Sequence, residues 1–466
     1  MYSGRKGFCL TRNTINLTEG SIARGVILFA LPLMLTNLFQ QLYNSIDSAV
    51  VGSFAGDVSL AAVGSTAALI NLLIGFFLGI ATGTGVLYAM HYGAGDWPGL
   101  KKICDAALVL SLGTAVVISA FGIVFTPQML RLMDMPEDVL PEAAVYLRVY
   151  LLGVAPNLLY NVAAGMIRAK GDSSRPLIYL AVSGLLNLVL DLLFVAWLGL
   201  GAMGAALATI LAQLLSCVLA LLSMTRLPEE YRFRPLHIVL NRTAVTDVIR
   251  ISVPCGLQAS MFNISNLLVQ TRINAFGSLA MAGVTAYTKL DGFVYMPMNA
   301  LALTVSTYVG QNVGAGRYDR VRRGIRLCLM LSFGVSLFMA GLVVALFRPV
   351  IGLFTDDAAV MDFARTMMWF MCPWLWTFAP SDILGGAMRG AGAATPVMLI
   401  SAACVCVFRI LWLTLALYVV YDIRTVFLVY AISWALSSAA MSVYYFRFSA
   451  LKRTMRRHAE NACAIC

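Results

Sequence analysis

Along the chain, long apolar runs alternate with short clusters of glycine, proline and charge. Each run is long enough to cross a bilayer core as a helix, which takes about 20 apolar residues. The pattern predicts twelve helices, over 24–51, 58–90, 101–126, 140–167, 177–198, 201–226, 244–275, 281–309, 320–347, 358–388, 396–420 and 425–448. The polar stretches divide the chain into an N-terminal segment 1–23, a lobe 24–226 of helices one to six, a linker 227–243, a lobe 244–448 of helices seven to twelve, and a basic tail 449–466. The fold class is all-α integral membrane.

The two lobes repeat. A shift of 221 residues lays His91-Tyr92-Gly93-Ala94-Gly95 on Asn312-Val313-Gly314-Ala315-Gly316, and Arg168-Ala169-Lys170-Gly171 on Arg389-Gly390-Ala391-Gly392. With one residue more, Pro32 meets Pro254 and Asn44 meets Asn266. Six helices bring the chain back to the side it started from, so the copies run in parallel. Such repeats are related by an axis along the membrane normal, with a central cavity between them near the midplane.

Charge adds orientation. Of the 33 basic residues, most fall at the N-terminus, in every second loop and in the C-terminal tail; the alternate loops hold Asp57, Glu137, Asp138 and Asp357. The excess of Lys and Arg places both termini in the cytoplasm of a multi-pass cell-membrane protein. It also accounts for the net charge of +11 without nucleic acid as a partner. The mean hydropathy of +0.83 and 60% hydrophobic content exclude a soluble chain, because a folded surface must still meet water. The ten cysteines form neither a disulfide framework nor a zinc spacing. No Gly-rich phosphate loop is present and no catalytic constellation is visible. The chain reads as neither an enzyme nor a holder of a metal or cofactor, and any uphill work must draw on an ion gradient.

The candidate chemistry is charge inside spans. A carboxylate near the bilayer centre costs about 2.5–3.5 kcal/mol on insertion scales, and normally faces a cavity or a partner. The first lobe offers Asp47 in helix one and Asp191 in helix five, with Asn187 one turn away on the same face. Desolvation favours the protonated form of such a group, which suits a site that exchanges a proton for another cation. Helix one carries a polar stripe of Asn37, Gln41, Asn44 and Asp47; helix seven repeats it as Asn263, Asn266 and Gln270, with Val269 where Asp47 would fall. These stripes should line the cavity, and the cation site should sit in the first lobe alone. Pro32 and Pro254 are candidate kinks or hinges. Further charges lie in spans at Arg272, Lys289, Asp291, Asp382 and Arg409; Arg272 and Arg409 are expected to snorkel at helix ends.

The segments Arg168-Ala169-Lys170-Gly171-Asp172-Ser173-Ser174-Arg175-Pro176, Asn187-Leu188-Val189-Leu190-Asp191, Gly204-Ala205-Ala206-Leu207-Ala208-Thr209 and Val309-Gly310-Gln311-Asn312-Val313-Gly314-Ala315-Gly316 together resemble the bacterial branch of the multidrug and toxic compound extrusion (MATE) transporters. The resemblance spans roughly residues 20–450. It implies two six-helix lobes in a V, and a monomeric antiporter that rocks to export organic cations or amphiphilic drugs against H⁺ or Na⁺. Membrane lipid is its other contact. It also implies a cation site at Asp47, Asn187, Asp191 and Thr209. A glutamate found in helix seven of another branch is absent here, where Ser260-Met261-Phe262-Asn263 stands. The alternative is a flippase or exporter of a lipid-linked or anionic metabolite on the same fold, working through Arg272, Lys289 and Arg409.

Overall fold

The computed structural model describes residues 14–455 except 134, 353, 354 and 356, and leaves the side chains of Asn44, Ser48 and Asp57 undescribed. The expected N-terminal segment and tail are therefore described only in part. Among the described residues the chain is helical, and its helices group into twelve.

In chain order they are α1 (Ile22–Phe54), α2 (Gly56–Ala94), α3 (Trp97–Arg131), α4 (Leu140–Leu152 with Val154–Ala169), α5 (Ser174–Asp191, continued by a π turn Leu192–Trp197) and α6 (Gly201–Thr225). The second set is α7 (Arg242–Asn274), α8 (Ser278–Gly314), α9 (Tyr318–Ile351), α10 (Ala358–Met371, a 3₁₀ turn Cys372–Trp374, then Leu375–Gly390), α11 (Ala394–Ser401, a π turn Ala402–Val407, then Phe408–Val419) and α12 (Ile423–Val443 with a π turn Tyr444–Phe448).

By length and composition eight of these helices suffice to cross a membrane, or nine when the two pieces of α4, bent by 45°, count as one span. The others, α7, α8 and α10, are interrupted by polar side chains or by the 3₁₀ turn. Such spans are tolerated where their polar face meets protein or water. Local chemistry marks the ends. Ser21, Asp96, Asn241, Asp357 and Asp422 each accept a backbone N–H in the first turn of the helix that follows.

The prolines act less uniformly than expected. α1 runs unbroken past Pro32, whose carbonyl accepts from Thr36 Oγ1 at 2.8 Å, and α7 runs unbroken past Pro254. The breaks fall instead at Gly153 in α4 and at Cys372-Pro373 in α10.

The repeat is visible in the backbone. Gly95 and Gly316 both have φ +68°, and Gly171 and Gly392 have φ +99° and +82°. These left-handed residues end the second and fourth helices of each bundle, a position that glycine fills at least cost. The bundles join over the half that carries the N-terminus. Thr84 Oγ1 and Ser252 Oγ share a hydrogen bond at 3.0 Å, Gln311 Nε2 donates to Ala169 O at 2.6 Å, Asn37 Nδ2 to Met296 O at 3.3 Å, and Asn263 Nδ2 to Asn71 O at 3.1 Å. Among the described residues no hydrogen bond joins the bundles in the other half. Two glycines close the joint. Gly93 on α2 packs against the Gln311 backbone of α8, and its repeat mate Gly314 packs against that of Met90, so neither has room for a Cβ.

The chain before α1 forms a strap beneath this joint. Ile15 N donates to Gly171 O at 3.0 Å in the first bundle. Leu17 is 1% exposed and packs on the second. Asn312, Arg317 and Arg320 donate to carbonyls of residues 17–20. The 227–243 linker docks on the first bundle, where Val239 N donates to Asp105 Oδ2 at 3.2 Å and the Tyr231 ring stacks on Trp97 with centroids 5.0 Å apart.

Candidate functional site

Asp47 lies on α1 one turn beyond Tyr43, and Asp191 ends the regular part of α5. Three helices of one bundle bring them together, since α1, α5 and α6 pack side by side. Asp191 is fully buried, Asn187 and Thr209 nearly so, and Asp47 is 9% exposed. The two carboxyl groups stand within side-chain reach of each other. Two carboxylates this close repel each other unless a proton or a cation stands between them. With its amide oriented to suit its neighbours, Asn187 donates to Asp191 Oδ2 at 2.9 Å. Its oxygen accepts from Tyr43 Oη and from the Thr209 backbone N–H, both at 3.3 Å. The Tyr43 hydroxyl also meets the Thr209 side chain. One oxygen of each acid, Oδ1, is buried without a hydrogen-bond partner. All four predicted cation-site residues thus fall in one cluster.

Sequence reasoning missed the cluster's aromatic wall. Tyr43 sits four residues before Asp47, and Tyr146 and Tyr150 of α4 stand close to the acids, their rings 6.3 Å apart. Tyr150 reaches Gln213 and Asn157, and Asn157 in turn accepts from Asn161 Nδ2 at 2.7 Å. The i, i+4 spacing of Tyr146 and Tyr150, and of Tyr43 and Asp47, was the available signal. A second was not readable in advance: α5 turns π immediately after Asp191, and π turns concentrate at functional positions.

The predicted cavity residues divide. Asn37 and Asn263 spend their amides on hydrogen bonds across the bundle joint. Gln270 bonds Asn274 on its own helix at 2.9 Å, and Gln41 is half-buried. The backbone of Asn44 continues α1, but its side chain lies outside the described residues. Asn266 is exposed on one side and on the other accepts from Arg409 Nη1 at 2.9 Å.

That contact corrects the expectation for Arg409. It does not snorkel; it is 2% exposed inside the second bundle. Its Nε donates to Ser433 Oγ at 3.0 Å, its Nη1 also reaches Ser265 Oγ at 3.5 Å, and the guanidinium lies 4.6 Å from the centre of the Tyr430 ring. Neutral oxygens and a π face satisfy it; among the described residues it forms no ion pair. It stands two residues after the π turn of α11, whereas Asp191 immediately precedes that of α5. Arg272, exposed in the last turn of α7, fits the snorkelling expectation. Lys289 and Asp291 do not face each other: Lys289 is exposed, and Asp291 is buried against the Tyr287 hydroxyl. Asp382 is half-buried near Arg389, with Oδ2 unpartnered. The second bundle therefore holds a buried acid of its own, Asp291, although it does not stand where Asp47 does.

Two repeated bundles of long apolar helices with buried acids among them define a multi-pass membrane protein of the kind that carries solutes across a bilayer. The MatE family profile matches residues 32–193 and again 254–415. The second match begins where Pro254 answers Pro32, and the two together cover more than half of the chain. The protein belongs to the MatE family. It is 26% identical over 385 residues to the "Probable multidrug resistance protein YoeA" of Bacillus subtilis, covering 80% of this chain and 82% of that one. It is 25% identical over 317 residues to a "FAD transporter" of Shewanella oneidensis, covering 66% and 69%. A solved outward-facing structure of a multidrug resistance MATE family transporter superposes with a TM-score of 0.86 at 22% identity, covering 94% of this chain and 99% of that one. The likeness to that structure is one of fold.

Proposed function

We propose that this protein exports organic cations or amphiphilic drugs in exchange for H⁺ or Na⁺, by alternating access across the cell membrane, as a monomer with both termini in the cytoplasm. Residues 24–226 and 244–448 are the rocking bodies and 227–243 the linker between them. The observation that carries this reading is the Asp47–Asp191 pair: two buried carboxyl groups in contact, each with an unpartnered oxygen, beside the Asn187 amide. Such a pair stores one proton, or in its place a monovalent cation among carboxyl and amide oxygens. The site needs no cofactor. The names of relatives such as YoeA support a drug as cargo.

Ethidium efflux from proteoliposomes, under an imposed pH gradient and then a sodium gradient, tests the proposal. Wild type should respond to one gradient and so name the ion, and Asp47→Asn should lose that response while remaining folded. Efflux by Asp47→Asn and Asp191→Asn at wild-type rates refutes the coupling assignment.

One observation favours the second reading, an anionic or lipid-linked cargo: Arg409 is a buried guanidinium that pairs with no acid among the described residues, one side chain behind exposed Asn266. The FAD transporter among the relatives points the same way. On that reading FAD itself is exported from the same vesicles, and Asp47→Asn is tolerated.

A further inference from the structure

The strap and the bundle joint border a half-open cavity of about 290 Å³ on the side of the N-terminus, far from the Asp47–Asp191 pair. Its walls come from three parts of the chain: Ile15 and Asn16 of the strap, Tyr92, Trp97 and Lys170 of the first bundle, and Gln311 of the second. No lining residue is acidic. Lys170 is 6% exposed and borders the cavity, yet among the described residues its ammonium makes no hydrogen bond or ion pair. Among the described residues the carboxylate close to it is Asp172, which caps the Arg175 backbone N–H at 3.1 Å and has its other oxygen 3.1 Å from Arg175 Nε. Burial, with the charge of Arg175, pushes the Lys170 ammonium down to about 8, as expected of a cation short of a counter-charge. An ammonium at the tip of a largely buried side chain, open only to the cavity and short of a counter-charge, is a ready partner for an anion there.

We propose that this cavity binds a phosphate group, held by Lys170 beneath the strap. A phosphate offers several acceptor oxygens to the three donors of an ammonium. The volume admits it with room for what it is attached to. Because strap, first bundle and second bundle each supply a wall, the site is complete only while the bundles are joined at this end. Occupancy therefore favours the joined arrangement by mass action. The phosphate could come free in solution or on a lipid headgroup; Tyr92 and Trp97 are residue types enriched at the membrane–water interface.

The test is thermal unfolding of the full-length protein. One arm compares inorganic phosphate with chloride at equal ionic strength in detergent; the other compares nanodiscs of phosphatidylglycerol with nanodiscs of phosphatidylcholine. Wild type and Lys170→Arg should show a dose-dependent rise in Tm in at least one arm. Lys170→Gln should show none, whatever its baseline Tm. A rise in the first arm identifies free phosphate, and a rise confined to the second identifies the headgroup. Asn16→Asp, at an exposed strap position, puts a carboxylate next to the cavity without touching the bundle cores. It should abolish the rise even if Lys170→Gln does not fold. A wild type that responds in neither arm overturns the proposal, as does a rise kept at wild-type size in Lys170→Gln or Asn16→Asp.

Discussion

Gly83 lies on α2 where it crosses α7, and a Cβ there would stand 2.5 Å from Ser252 Cα and 2.9 Å from both Ser252 N and Ile251 O. All three are backbone atoms, so no side chain can turn aside. Carbon atoms rest at about 3.5–4.0 Å, so Gly83→Ala forces the two helices roughly 1 Å apart. Overpacking of this kind costs about 1–3 kcal/mol. The cost falls on the joined state, because the Gly83–Ser252 contact exists only while α2 and α7 touch. The equilibrium should then move toward opening at this end by about 5- to 150-fold. A native probe sits beside the contact: Cys255, 4% exposed, whose carbonyl meets Gly79 one turn along α2. Alkylation of Cys255 by a small maleimide, followed by peptide mass mapping, should speed up by that factor in Gly83→Ala at an unchanged reagent concentration. An unchanged Cys255 rate in a variant with wild-type Tm would show that this crossing does not hold the bundles together.

Arg409→Met should lower Tm through the loss of about 1–3 kcal/mol, since Ser433 and Asn266 are left with unmade hydrogen bonds in the second bundle; a neutral result would mean water replaces the guanidinium. Lys289→Met, at an exposed position, should change stability by less than about 0.5 kcal/mol, read by thermal unfolding. Tyr43→Phe removes the hydroxyl that reaches Asn187 and should slow gradient-driven ethidium efflux less than Asp191→Asn does; equal losses would promote Tyr43 from wall to working part.

The twelve helices were legible from the apolar runs together with the Gly, Pro and charge clusters that separate them, which is how the more polar α7, α8 and α10 were found. The duplicated motifs at 91–95 and 312–316 reappear as matching left-handed glycines. The Asp47–Asp191 cluster was legible because a buried acid in a span is rare enough to be conspicuous. Its tyrosines were not, since an aromatic at helical spacing is as well suited to lipid as to a polar core. Arg409 was misjudged for a related reason: its depth depends on Ser433 and Asn266, 24 and 143 residues away, and nothing local to α11 records them. The strap was invisible because its carbonyls, which every sequence has, accept from arginines read as loop charge. Asn37 and Asn263 kept their predicted polarity and changed their use, from cavity lining to bonds between bundles.

The paired glycines at the joint carry one last implication. Gly93 against Gln311 and Gly314 against Met90 are the same contact made twice about a common axis. Tilting one bundle away from the other loosens both together, so a half-parted seal has little to hold it. Opening should be all-or-none, with scarcely any population of leaky intermediates through which an ion gradient could run down unused.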